Sequence, residues 1–375
     1  MLSGPTFPHP GRVLRLLARV TAFAWLLPAM TLAQSGMPKL ILPTANDALL
    51  RGDNEAFYQV VERNFKDVIT YPWEGGQYGF VRDPVETPQG IVYVHFHEGI
   101  DIKPLRRDAA NEPLDEIVAI AAGRVVHCSD VAGHSNYGRY IVIEHQWGGS
   151  PYYSLYAHLS EIAVTPGTEV AQGQRIARMG HTGAGITRER SHVHFEINLM
   201  LTTKFEEWYI AGAPKEPNYH GNYNGINLAG FDVAKFYLAQ RRNPALTVPE
   251  FLRGEEVFFK VLTPANGQTP DLIRMYPWLT SGATQVGIPA SWEISFTRSG
   301  VPLRVVPSSK TVSAPTLSFV KPAEVPYWML TRRLVFGSGN GAKLSPYGRR
   351  LVELIFALPK GGPAPAMSGE PEATR

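Results

Sequence analysis

The chain has 375 residues, 44% of them hydrophobic and 18% charged, which is enough apolar material for a buried core and enough length for two or three domains. Its 36 basic and 33 acidic residues leave a formal charge of +3. That falls to about zero without the three arginines of the leader described below, so nothing in the charge points to nucleic acid as a partner. A single cysteine, Cys128, excludes both an intramolecular disulfide and a cysteine-rich structural metal site.

At the start, Arg12, Arg15 and Arg19 precede an apolar run from Val20 to Leu32, followed by Ala33 with the small Thr31 two residues earlier. That order is a secretory signal peptide, 1–33, cleaved after Ala33. The run is shorter than the roughly 20 apolar residues of a spanning helix, and Pro28 interrupts it. No stable membrane insertion is expected after cleavage, and without a cysteine at the end of the leader no lipid attachment is expected there. An N-terminal helical segment, 34–76, follows. Phe57, Val60, Val61 and Phe65 recur at helical spacing and predict a short amphipathic helix over 54–64.

From Gln77 to Leu199 the pattern changes to short β-branched and aromatic runs between Gly, Asn and Pro turns. This predicts a mostly β, antiparallel domain over 77–205. A Tyr, Asn, Gly and Pro-rich connector, 206–245, ends in a helix from Asp232 to Arg241, with Asp232 as N-cap. Strands are expected at Glu255–Leu262, Trp292–Arg298, Leu303–Val306, Thr316–Val320 and Leu330–Phe336, and Ser345-Pro346 starts a last helix. These make 246–359 a second, smaller β-rich domain to which no chemistry attaches. The tail, 360–375, is Pro, Gly and small-residue rich and is expected to be disordered.

Three segments carry chemistry. In His192-Val193-His194-Phe195-Glu196-Ile197 polar and apolar residues alternate, so a strand here puts both imidazoles and Glu196 on one face. His97-Glu98-Gly99-Ile100-Asp101 follows a strand, and Gly99 lets His97 and Asp101 converge without a helix. One imidazole and one carboxylate, joined by a second imidazole, make a three-ligand site whose fourth tetrahedral position stays open for water, as in a catalytic zinc centre. Tyr156-Ala157-His158-Leu159 sets a histidine near the end of a third strand. Each segment alone is a weak signal: a histidine pair on a strand is more often plain surface than a metal site.

Taken in order, the three segments resemble the lysostaphin-type, or LytM, zinc endopeptidases, over roughly residues 77 to 199. Ala122-Gly123-Arg124-Val125, Tyr137-Gly138, Gly173-Gln174 and Gly180-His181-Thr182-Gly183 are similar to the same family. The resemblance implies one Zn2+ per chain held by His97, Asp101 and His194, and catalysis by His158 and His192, one as general base and the other as donor, with the two roles undivided. It implies an antiparallel duplicated hybrid motif whose loops wall a narrow groove, and peptidoglycan stem or cross-link peptides as substrate. His95, two residues from His97 on the same strand face, is the rival ligand, and the Gly99 spacing favours His97. Glu196 is a candidate to support a ligand, while His145 and His181 are structural. The chain departs from the family at Pro104–Glu116, an insertion, and at Ile186–Ser191, both expected on the groove rim.

Two further readings stand beside the peptidase. A LytM domain without hydrolytic activity would bind peptidoglycan or regulate an amidase, although such domains lose site residues and this chain keeps all five. A wall-binding scaffold would use Trp278, Trp292 and Trp328 as sugar platforms, a role less common for scattered tryptophans than core packing. The segment Gln34–Trp73 is a candidate inhibitory plug over the groove.

Overall fold

Turns rich in glycine and proline cut the chain into short strands, and the computed structural model shows where they pair. It describes residues 36–356, less 64, 67, 213, 268 and 281–288, together with residues 1 and 4. The expected leader, apart from those two residues, and the expected tail lie outside the described residues. No helix among the described residues is long and apolar enough to cross a membrane.

The first elements are α1 (Ala48–Arg51) and α2 (Asn54–Phe57), the latter capped by the Asp53 side chain, which accepts from Ala56 N. The helix expected over 54–64 therefore ends at Phe57. Beyond it the backbone is used for pairing instead: Tyr58 bridges Ile102, Gln59 N donates to the Asp101 carbonyl at 2.8 Å and Lys103 N to that of Phe57 at 3.0 Å. Periodicity of 3.6 was present, but tertiary pairing outweighed it.

Next comes the hairpin β1 (Gly79–Thr87) and β2 (Gly90–His97), then β3 (Ile100–Ile102). After β4 (Glu116–Val118) follow β5 (Gly123–Ser129), β6 (Tyr140–Trp147), β7 (Ser150–Ala157), β8 (Glu161–Ile162), β9 (Glu169–Val170), β10 (Arg175–Arg178), β11 (Val193–Met200) and β12 (Leu228–Gly230). The main sheet runs β12-β11-β7-β6-β5-β9, with β3 also paired to β11. Among the described residues every strand pair is antiparallel, as the residue pattern predicts.

The helix α3 (Val233–Arg242) starts at Asp232, whose side chain accepts from Lys235 N. It lays Val233, Phe236 and Tyr237 against the apolar face of β11 in one continuous core. A second sheet, ordered β15-β14-β13-β16, is formed by β13 (Phe259–Pro264), β14 (Ser291–Phe296), β15 (Pro302–Ser308) and β16 (Thr316–Val320). Its Val261, Ile294 and Val305 belong to the same core as the main sheet. The last helix among the described residues, α4 (Pro346–Phe356), begins at the expected Ser345, whose hydroxyl accepts from Gly348 N at 2.8 Å. The strand expected at 330–336 is present only at Val335–Phe336. Before it lie a short helix, Tyr327–Leu330, and a turn in which Arg332 and Arg333 both have positive φ, 51° and 62°. Of the tryptophans considered as sugar platforms, Trp292 is buried.

Candidate metal and catalytic site

The alternation in β11 is realised on both faces. Val193, Phe195, Ile197 and Leu199 are fully buried in the core, while His194, Glu196 and Asn198 are buried on the opposite face. The register then does what no single strand could: Asp101 on β3 pairs directly opposite His194, where cross-strand side chains lie close together. The β2–β3 turn brings His97 to the same point. His97 Nε2 is 3.0 Å from His194 Nδ1 and 3.1 Å from Asp101 Oδ1, and His194 Nδ1 is 3.0 Å from the same oxygen. These three residues form a group able to hold a metal ion.

The outward atoms of that triangle are all engaged. His97 Nδ1 lies 2.7 Å from the Gln77 carbonyl and so donates to it. Arg82 Nη2 donates to Asp101 Oδ2 at 2.6 Å. His194 Nε2 lies 2.7 Å from Glu196 Oε1, which also accepts from the Tyr137 hydroxyl at 2.7 Å, while Asn198 Nδ2 donates to Oε2 at 2.8 Å. With those protons directed outward, His97 Nε2, His194 Nδ1 and Asp101 Oδ1 face one another as three lone-pair donors. Three acceptors about 3 Å apart repel one another unless a cation or a proton lies among them. The set fits a tetrahedral ion with one position left open, and the outward partners are those that orient ligands.

Burial favours neutral forms here, and neighbouring charges oppose it. Burial pushes Asp101 up, but His97, His192 and Arg82 outweigh it and hold the carboxyl well below the ordinary range. Burial pushes His194 down, yet hydrogen bonds to Asp101 and Glu196 carry it up to about 10.

His158 and His192 join the group, their rings 4.8 Å apart, with His158 5.8 Å from the His194 ring. His158 Nδ1 lies 2.9 Å from the Thr182 carbonyl and His192 Nδ1 2.6 Å from that of Arg190. Each therefore anchors one nitrogen on the backbone, and the Nε2 of His192 stands 3.4 Å from Asp101 Oδ1. Burial, reinforced by His192 and His194, holds His158 well below the usual histidine range. Its backbone is left-handed, φ 62°, a conformation rare outside glycine that persists at over-determined sites.

All five residues are only 3–7% exposed, and all line one cleft of about 910 Å³. His95, the rival ligand, pairs instead with Asp83, Nδ1 to Oδ2 at 3.0 Å. His145 is structural: Nδ1 meets the Ala122 carbonyl at 2.9 Å and Nε2 the Ser154 hydroxyl at 2.7 Å. Of the two departures expected on the rim, Ile186 and Arg190 line the cleft, whereas none of 104–116 does. The insertion holds the other segment: Arg107 donates to the carbonyls of Arg188 at 2.8 Å and Glu189 at 3.1 Å. None of the described residues within 36–81 lines the cleft.

Two partners escaped the sequence reading. Arg82 lies outside every motif, and Tyr137, although part of the Tyr137-Gly138 segment similar to the family, has no site role that the sequence suggests. Gly99 bends the chain between β2 and β3, as expected, and close packing also requires a glycine there. A Cβ there would meet the Phe195 carbonyl oxygen at 2.5 Å and His194 Nε2 at 2.9 Å, so the glycine is required by close approach of the β2–β3 turn to β11, not by a positive φ. Gly99→Ala should destabilise the fold by about 1–3 kcal/mol through overpacking. An unchanged urea midpoint would refute this.

Residues 95–204 match the family model of Peptidase family M23. Among curated relatives, the Murein hydrolase activator NlpD of Salmonella dublin is 40% identical over 101 residues, 27% of this chain and 22% of the relative. The Outer membrane antigenic lipoprotein B of Histophilus somni is 39% identical over 101 residues, 27% of this chain and 25% of that protein. The matched stretch thus spans about a quarter of the length of these two. Lipoprotein NlpD of Yersinia enterocolitica is 39% identical over 90 residues, 24% of this chain and 84% of the relative. A zinc-containing peptidase from Vibrio cholerae aligns over 38% of this chain and 36% of its own at 28% identity, with a TM-score of 0.24.

Proposed function

The chain belongs to peptidase family M23, and from that premise we propose that it is an exported zinc metalloendopeptidase that hydrolyses peptide bonds of bacterial peptidoglycan. The observation that carries this is the convergence of three lone-pair atoms, His97 Nε2, Asp101 Oδ1 and His194 Nδ1, within 3.1 Å of one another at a cleft. These are the proposed ligands of one zinc ion. Zinc held there supplies a Lewis acid that polarises a carbonyl and acidifies water near neutral pH.

The chain's own groups do the rest. His158 and His192 each donate Nδ1–H to a backbone carbonyl, which leaves Nε2 as the atom that exchanges protons. One accepts a proton from the attacking water, and the other delivers one to the leaving amine. Glu196 holds the His194 ring so that Nδ1 faces inward, and Arg82 holds Asp101 so that Oδ1 does. We assign this chemistry to the segment 77–205. The leader supports export to a periplasm or beyond, and the word murein in the names of relatives supports the wall as substrate.

The measurement that tests the reading is zinc content together with release of new amines from purified peptidoglycan. One zinc per chain with amine release is the expected result. Zinc without cleavage of any wall preparation would overturn hydrolysis, and a chain that binds no zinc would overturn the ligand assignment.

A second reading, a peptidoglycan-binding protein that activates a murein hydrolase, is favoured by the names of several relatives. It predicts that the protein releases no amines alone but accelerates a separate wall hydrolase. The five retained site residues favour the first reading.

A further inference from the structure

We infer that the cleft recognises a carboxylate of its ligand through Arg190 and Arg333, and that the C-terminal segment Tyr327–Tyr347 forms the cleft wall that presents Arg333. This rests on the reading of the cleft as a peptide site. Most charges that line the cleft are already paired. Arg82 is held by Asp101, Arg332 by Glu98 and Asp83 by His95, at 2.6, 2.6 and 3.0 Å. Arg190 and Arg333 also line the cleft, and neither side chain has a carboxylate partner among the described residues. The Nε of Arg190 is shut off from solvent with nothing to donate to, a costly state for a buried donor. Arg190 also lies two residues before His192 and accepts its Nδ1–H through the main-chain carbonyl, so its side chain leaves the backbone at the edge of the five-residue group.

Arg333 is exposed but not loosely placed. It and Arg332 form a consecutive left-handed pair, a conformation that L side chains adopt only where their surroundings impose it. Contacts on both sides compel that conformation. Arg332 donates to Glu98 at 2.6 Å and lies 4.7 Å above the Phe96 ring. Behind it, the Thr331 hydroxyl accepts from Val335 N at 3.1 Å and Leu334 N donates to the Thr331 carbonyl at 2.8 Å. Glu98 stands between His97 and the turn to Asp101, so this clamp ties the C-terminal segment to the element that bears two of the proposed ligands. Arg332 is consumed by the clamp. Its neighbour is left with a free guanidinium at the cleft, a permanently charged fork whose geometry matches a carboxylate.

The carboxylate could be the α-carboxylate at a peptide's end or an acidic side chain. The test is calorimetric titration of the full mature protein with three synthetic pentapeptides: an alanine-rich free acid, its C-terminal amide, and the amide with one internal glutamate. At least one carboxylate-bearing peptide should bind about tenfold more tightly than the plain amide, as expected of charge-assisted hydrogen bonds. Which of the two does so identifies the source. Arg333→Gln and Arg190→Gln should each remove most of that preference, with thermal melting showing that both variants fold. Equal affinity for all three peptides, or a preference that survives both substitutions, overturns the inference. If the wild type releases amines from the wall yet shows no preference, this inference fails alone. If no peptide binds, it fails together with the peptide reading.

Discussion

His194→Ala should leave the purified protein with less than about a tenth of its zinc and with no measurable hydrolysis of peptidoglycan, since losing merely a group that orients a ligand costs about 10–100-fold in affinity and this removes a proposed ligand itself. His194 supplies one corner of the triangle and, through Nε2, a hydrogen-bond partner of Glu196. Its loss leaves one imidazole and one carboxylate, too few for a catalytic zinc centre. It also leaves Glu196, 1% exposed, with only Tyr137 and Asn198 as partners. Breaking a buried charged pair costs on the order of 3–5 kcal/mol, so loss of zinc must be separated from loss of fold. The double substitution His194→Ala with Glu196→Gln removes the stranded charge and should recover much of the melting temperature without recovering zinc. Zinc retained at one per chain in the folded variant would show that His97 and Asp101 are not partnered by His194 at the metal.

His158→Asn should give the opposite division: zinc retained in full and hydrolysis slowed by about 10²–10⁴-fold, the usual worth of a positioned acid or base. Asparagine is the suitable replacement because position 158 has φ 62°, which asparagine tolerates and alanine resists. His158 makes no contact with Asp101 or His97 as short as those within the triangle; it approaches as a ring stacked edge-on at 4.8 Å from His192. Its removal therefore reaches the proton exchange and not the proposed ligands. A rate within tenfold of wild type would exclude His158 from that role. Loss of zinc would place it among the ligands instead.

The residues that bear chemistry were legible because donor identity and strand period are local. His192, His194 and Glu196 share a face by alternation, and a single cysteine, Cys128, rules out a cysteine cage whatever the fold. Less was legible wherever one segment is shaped by another far along the chain. The helix begun at Asn54 stops at Phe57 because the backbone of 58–59 pairs with 101–102, and no period within 54–64 contains that information. The strand expected at 330–336 became a left-handed turn because Arg332 is drawn to Glu98, 234 residues away. Arg82 went unseen for the same reason: only a hairpin folded back to the site places its guanidinium on Asp101.

Order along the chain thus specified an antiparallel β framework through its two-residue repeat, and it named His97, Asp101, His158, His192 and His194 as one candidate site through the resemblance of three ordered motifs to the lysostaphin-type family. The tertiary structure alone decided that Asp101 faces His194 in register, that every outward nitrogen and oxygen of the triangle has a partner, and that a C-terminal turn walls the cleft. Those depend on distances between residues many tens of positions apart, which are set by how buried faces pack and not by the sequence on either side of each residue.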